Sequence, residues 1–351
     1  MSGLEGEPPP LDDFFNQYWL PRKGKLGSLA LAAAFDTWGA YYTKLAERLR
    51  ECGSILEFAC YRIGDNEDLT RVLVRCSWCR VRLCFLCERA KARKRHVQLC
   101  KIATAWFARH PHDHALLLTL TTRSITNDCL LDGIDQFLAS LRRLTRCRRF
   151  KDAVRGWYRT LEITRNAETG LWHVHAHLLL IVSPRYFRRQ VGLYIDQREW
   201  VALWRKFARL DYDPVVDIRA LQGVGGGALD DIGRKSLAEV TKYCTKPSDL
   251  VQFDDEGEPY PVDPLTLKTL YDALHGRRLV GMSGALRDIA KELRLADPED
   301  DNTDLNAADV LPDDAVYVGR EFYRWHHDLG DYVWMPRVIW PTQQQEHQMP
   351  P

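Results

Sequence analysis

Three stretches of the chain alternate apolar and polar side chains with a period of two: "HALLLTLTT" from residue 114, "GWYRTLEIT" from 156 and "LWHVHAHLLLIV" from 171. That period marks half-buried β-strands. The turn-like "RNAETG" between the last two predicts a hairpin. Elsewhere the period lengthens. Leu131, Ile134, Leu138 and Leu141 lie on one side of a helix whose other side carries Arg142, Arg143 and Arg146, with Asn127 or Asp128 as its cap. "ERAKARKRHVQLCKIATAWFARH" and "DQREWVALWRKFARL" also read as helices, and "DPVVDIRAL" reads as a strand. "QGVGGGALDD" reads as a glycine hinge leading into the helix "RKSLAEVTKYCTKP", which Pro247 should stop. The pattern predicts an α+β fold, a central antiparallel sheet flanked by helices.

Four regions follow: residues 1–70, with an acidic Pro-rich leader and no assigned chemistry; 71–110, cysteine-rich and basic; 111–250, the α+β core; and 251–351, an extension with an acidic flexible stretch. The net charge of the 351 residues is only +1, yet 71–95 are almost purely basic while 297–314 carry only acids. The segregation points to a local basic patch. The first residues lack the basic start and apolar core of a signal peptide, and no apolar run approaches the roughly 20 residues that cross a bilayer. A cytoplasmic location without membrane contact is expected, where ten cysteines read as metal ligands or reduced core residues rather than as disulfides.

On the strand from 171, His173, His175 and His177 share one face, with Val174, Ala176, Leu178, Leu180 and Val182 on the other. Matching apolar faces across the hairpin sets Glu162 beside the histidines and adds Thr119 and Thr121 from the first strand. Surface histidines are the plain alternative. Three in alternation facing a carboxylate instead suit a divalent ion such as Mn²⁺, Mg²⁺ or Zn²⁺. Further on, Glu239, Tyr243 and Lys246 fall on one face of the helix from 234. A capping box at Ser236 and Glu239, a C-terminal lysine and a core tyrosine would explain the same residues.

Cys76, Cys79, Cys84 and Cys87 form C-x2-C-x4-C-x2-C, a spacing suited to a structural Zn²⁺. The short central gap leaves Cys52, Cys60, His96 or Cys100 as replacement ligands. Lys91, Arg93, Lys94 and Arg95 on the following helix are candidate DNA phosphate contacts, or a solvated helix face.

Taken together, "LLLTLTT", "LEIT…WHVHAHLLLIV", "EVTKYCTK" and the upstream "CRVRLCFLCERA" resemble the HUH endonuclease superfamily, and within it the single-tyrosine rolling-circle replication initiators (Rep proteins) of small plasmids. The likeness runs over roughly residues 76–290, with Phe85 where the family commonly has proline. It implies an HUH core carrying a zinc segment. It also implies that His175 and His177 hold Mn²⁺ or Mg²⁺, with His173 and Glu162 as further candidates, although His173 and His175 fit the same motif. Tyr243 would then be the nucleophile, Lys246 a phosphate-placing lysine and Glu239 the base that activates water at termination. The implied reaction nicks one origin strand through a 5′-phosphotyrosine, frees a 3′-OH primer and rejoins the strand. The implied partners are single-stranded or cruciform origin DNA and a host helicase and polymerase, with a homodimer left open. A zinc-dependent DNA-binding regulator without nuclease activity, an HUH relaxase or transposase, and a histidine-rich zinc hydrolase are the competing readings.

Overall fold

The computed structural model describes residues 21–64, 69–225, 228–229, 231–241, 244–245, 249–255, 257–297, 299 and 315–336. Helices α1 (Pro21–Asp36) and α2 (Ala40–Glu51) lead into strands β1 (Ile55–Ile63) and β2 (Thr70–Cys76). Helix α3 (Phe85–Arg109), β3 (His114–Thr121), α4 (Leu130–Arg146), the short α5 (Arg148–Ala153) and the hairpin β4 (Gly156–Arg165) and β5 (Trp172–Val182) follow. Then come α6 (Gln197–Ala208), β6 (Val216–Gly225), β7 (Ala228–Leu229), α7 (Asp231–Thr241), β8 (Val251–Phe253), β9 (Pro259–Pro261), α8 (Pro264–Leu274), β10 (Val280–Gly284) and α9 (Ala285–Glu292). Strands β11 (Ala315–His326) and β12 (Asp331–Met335) end the described chain.

The expected antiparallel sheet has six strands in the order β10-β4-β5-β3-β6-β7. Its register is set by the alternation: Leu118 lies opposite Leu178, Thr119 opposite His177, and Glu162 opposite His175. A slip of one residue would send the histidines into the apolar layer, where they would lose water without gaining partners. Helices α4 and α6 seal the apolar face, with Phe137 and Trp204 in ring contact and Trp204 Nε1 donating to Thr121 O at 2.7 Å. Helices α3, α7 and α9 cover the histidine side.

Three local expectations give way. Leu131 is exposed, and Phe137 and Leu144 point inward in its place. Asn127 does not cap α4: its side chain accepts from Trp172 Nε1 at 2.5 Å and donates to Thr266 Oγ1, tying the helix start to β5 and α8. Helix α7 ends at Thr241, six residues before Pro247, because the chain is taken over by β4: Ile163 N donates to Cys244 O at 2.8 Å, and Thr245 bridges Ile163 in parallel.

The segments on either side of the core are not independent. A second, four-stranded antiparallel sheet has the order β12-β11-β1-β2, so residues from the expected N-terminal and cysteine-rich regions are hydrogen-bonded to residues of the expected C-terminal extension. Residues 315–336 are therefore a structured hairpin, not a loose tail. Leu56, Phe58 and Cys76 form the apolar face of this sheet, with Tyr323 and Tyr332 packed against it. No helix among the described residues is long and apolar enough to cross a membrane.

Candidate functional site

Strand alternation and the hairpin register bring Glu162, His175 and His177 to one point. Glu162 Oε2 lies 3.0 Å from His175 Nε2 and 3.3 Å from His177 Nε2. Thr119 Oγ1, opposite His177 on β3, fixes that ring through Nδ1 at 3.1 Å, so Nε2 is the nitrogen turned to the carboxylate. Burial opposes ionisation of Glu162, but its hydrogen bonds to His175 and His177 outweigh that and hold the carboxyl well below the usual carboxylate range. Two imidazole nitrogens and a carboxylate oxygen within 4.8 Å of one another form a half-buried N₂O donor set compatible with a divalent ion. The buried Nδ1 of His175 has no partner among the described residues, where Glu162 is the one group that satisfies that ring. His173 stands outside the group: it faces Thr164, with its ring centroid 5.2 Å from that of His175.

Helix α7 lies across this face. Thr160, opposite His177, donates through Oγ1 to Val240 O at 2.5 Å, and Leu237 and Val240 are fully buried beneath the helix. Glu239 is half-buried on α7. Ser236 cannot be an N-cap, since the helix begins at Asp231; it sits in the helix interior, its hydroxyl 3.5 Å from Gln222 O. Tyr243 and Lys246 lie outside the described residues. The residues flanking Tyr243 are anchored to β4 on either side of Glu162: Thr160 holds the last turn of α7, and Ile163 holds Cys244. Cys244 and Thr245, which follow α7, are not helical.

The cysteine cluster differs from expectation by one residue. Cys52, Cys79, Cys84 and Cys87 converge, and all four are buried. Their sulfurs stand 3.4 Å apart for Cys84 and Cys52 and 3.7 Å for Cys52–Cys87 and Cys79–Cys87. The edge of a zinc–thiolate tetrahedron with bonds of ~2.3 Å is about 3.8 Å, so the four fit an ion of that size. Cys76 is excluded by alternation: as the last residue of β2 it pairs with Leu56 and turns its thiol into the apolar face of the second sheet. Cys52 replaces it from the C-cap of α2. Between Cys79 and Cys84, Arg80 and Leu83 adopt positive φ (57° and 74°), and this tight turn lets Arg80 N and Val81 N donate to the sulfurs of Cys87 and Cys79 at 3.2 and 3.4 Å. Burial pushes the Cys52 and Cys79 thiols up, whereas for Cys84 burial is outweighed by hydrogen bonds from the neighbouring thiols and from Ser28 Oγ at 3.5 Å, which hold it down.

Sequence reasoning missed the buried cation beside this cluster. Lys25 on α1 donates to Arg50 O, to Cys52 O at 2.8 Å and to Ser54 Oγ at 3.1 Å. The one signal was a lysine at the head of a run of otherwise small and apolar residues, "GKLGSLALAAAF".

Two of the four expected phosphate contacts are not available to DNA. Lys91 and Arg95 are buried. Lys91 Nζ lies 3.5 Å from Glu88, and Arg95 is held between Glu88 at 3.5 Å and Glu299 at 3.3 Å, because burying a cation requires paired charge. Arg93 and Lys94 are half-buried. The basic stretch of the sequence is thus partly an internal charge network, closed by the first acids of the acidic segment.

Comparison with known proteins adds a family. The family described as "Replication protein" matches residues 70–333. The chain is 33% identical over 307 residues to "Protein rep" of Bacillus amyloliquefaciens, covering 84% of this chain and 86% of that one. It is 34% identical over 273 residues to a "Protein rep" of a Bacillus species (74% and 84%), and 31% identical over 278 residues to that of Streptococcus pneumoniae serotype 2 (79% and 81%). No solved structure matches the chain.

Proposed function

This chain belongs to the replication protein family of plasmid replication initiators, and from that premise we propose that it starts rolling-circle replication by cutting one strand of origin DNA with Tyr243. The carrying observation is the convergence of Glu162, His175 and His177 directly beside the β4 residues that anchor the chain on both sides of Tyr243. Glu162, His175 and His177 would hold Mn²⁺ or Mg²⁺, which supplies Lewis-acid polarisation of the scissile phosphate. Thr119 keeps the His177 ring turned to that place. The phenolic oxygen of Tyr243 attacks phosphorus; the bond from phosphorus to the 3′ oxygen breaks, the phenol proton is lost, and the 3′ oxygen takes up a proton. The product is a 5′-phosphotyrosine and a 3′-OH that a host polymerase extends. Because the phosphodiester energy is kept in the covalent link, rejoining needs no nucleotide cofactor. Glu239, four residues before Tyr243, is the candidate base for water at termination, and Lys246 the candidate phosphate-placing cation.

Cys52, Cys79, Cys84 and Cys87 are proposed to hold a structural Zn²⁺, tying the end of α2 and the turn after β2 to the start of α3. The test is a denaturing gel of protein mixed with Mn²⁺ and single-stranded origin DNA labelled on the 3′ side of the nick. A labelled covalent adduct that disappears in Tyr243→Phe and in a His175→Ala, His177→Ala double variant supports the nicking enzyme. Tight binding with no adduct would instead favour a zinc-dependent regulator.

A further inference from the structure

The helical layer behind the sheet carries a groove of about 720 Å³ along α6, lined by Arg198, Arg205, Lys206 and Arg209 with Val201, Ala202, Leu210 and Asp213. Arg205 is tied to Asp213 at 2.9 Å, whereas no carboxylate pairs with Arg198, Lys206 or Arg209 among the described residues. Glu199, the one acid on this helix, is taken by Arg149. Arg198, Lys206 and Arg209 are exposed. Such a density of unneutralised charge on a rigid helix is costly unless an anion is gained when it binds.

The groove leads to the catalytic face. Around Asp213, from Tyr212 to Val215, the chain turns onto the end of β3: Arg123 N donates to Tyr212 Oη at 2.8 Å, the Arg123 guanidinium sits 3.8 Å over the Tyr212 ring, and Thr121 Oγ1 donates to Val215 O at 2.8 Å. Thr121 lies opposite His175. A polyanion seated on α6 therefore reaches the histidine site by rounding one strand end, past the exposed Arg123.

We propose that this groove binds the sugar-phosphate backbone of the double-stranded DNA adjoining the nick, deepening the nicking reading on which it rests. Two observations select duplex over single strand. No aromatic ring lines the groove, and the nearby Tyr212 has one face covered by Arg123, whereas binding of unpaired strands relies on open rings that stack bases. In addition, the unpaired Arg198 and Lys206 stand about 12 Å apart along the helix axis, matching the roughly 12 Å width of a major groove. The contacts are with phosphate and so hold position without reading sequence.

The test is fluorescence anisotropy of the full chain with a labelled duplex of arbitrary sequence, titrated with salt. In Arg198→Gln, Lys206→Gln, Arg209→Gln the slope of log affinity against log salt should become shallower by about 2 to 3, since each lost phosphate contact removes ~0.9. Affinity for the duplex should fall tenfold or more, with an unchanged melting temperature. A second variant, Lys206→Glu, Arg209→Glu, should lower duplex affinity further than Lys206→Gln, Arg209→Gln. An unchanged slope in the triple variant overturns the proposal, as does an equal loss of affinity for single-stranded DNA, which would make the groove a single-strand path. Nicking of single-stranded origin DNA is read separately: if the wild-type chain forms no adduct, the nicking reading fails while the salt titration still decides the groove.

Discussion

Glu162 offers one oxygen to two imidazoles, which makes it the residue on which the candidate site turns. Neutralising it while keeping its shape separates its charge from its packing. Glu162→Gln should weaken Mn²⁺ binding at least tenfold, read by calorimetric titration, while Thr119→Val should cause a smaller loss by freeing the His177 ring. The cysteines allow an equally pointed comparison. On the proposed ligand set, Cys52→Ser should purify without zinc, whereas Cys76→Ser should retain one equivalent, measured by elemental analysis; retention in Cys52→Ser with loss in Cys76→Ser would return the ligand set to its sequence-based form. The histidine face was legible because period-two alternation is a local property that fixes direction at every residue. Cys52 was legible only as one of four possible replacement ligands, because spacing along the chain cannot tell where a strand ends and its last thiol is turned into an apolar face.

At the scale of elements, strands and most helices followed from periodicity, and the departures share one physical origin in contacts from outside the element. Helix α7 stops early because β4 captures Cys244 through backbone hydrogen bonds, and Pro247, the local stop signal, is not what ends it. The cationic helix α3 turns Lys91 and Arg95 inward because Glu88 and Glu299 are there to pair them, and Glu299 lies 204 residues away from Arg95. Strand β11 gives a pH-dependent expectation. Burial opposes ionisation of Glu321, but its hydrogen bond to Arg71 on β2 prevails and keeps the carboxyl below its ordinary range. A carboxylate held low contributes stability that is complete above its unfolded value of about 4.3 and is lost as pH falls toward the folded one. The melting temperature should therefore fall below about pH 4.5, and Glu321→Gln, less stable at pH 7, should flatten that part of the profile.

For the whole molecule, the division into leader, cysteine segment, core and tail underestimates how far the chain closes on itself. The stretch "YVGREFYRW" does not alternate strictly, so sequence alone assigns it no element, and nothing local names β1 as its partner. Asp297 pairs with Arg278, Glu299 with Arg95, and β11 with β1. Removing residues 297–351 should therefore lower the melting temperature sharply or make the protein insoluble, by uncovering Leu56, Phe58 and Cys76 and leaving Arg95 with Glu88 as its remaining partner among the carboxylates that hold it. A truncated protein that melts normally would mean that the second sheet adds little.

The sheet joining the two ends also bears on how the protein is made. Arg71 and Glu321 meet across 250 residues of chain, so β1 and β2 leave the ribosome long before β11 exists, a delay of tens of seconds at ordinary rates of synthesis. Through that interval the strand β1 has one open edge and the apolar face of the sheet is bare, which makes the nascent chain a natural client for chaperones. A chain released before residue 315 would leave that edge and face uncovered for good, so completion of the hairpin is the step that closes the second sheet.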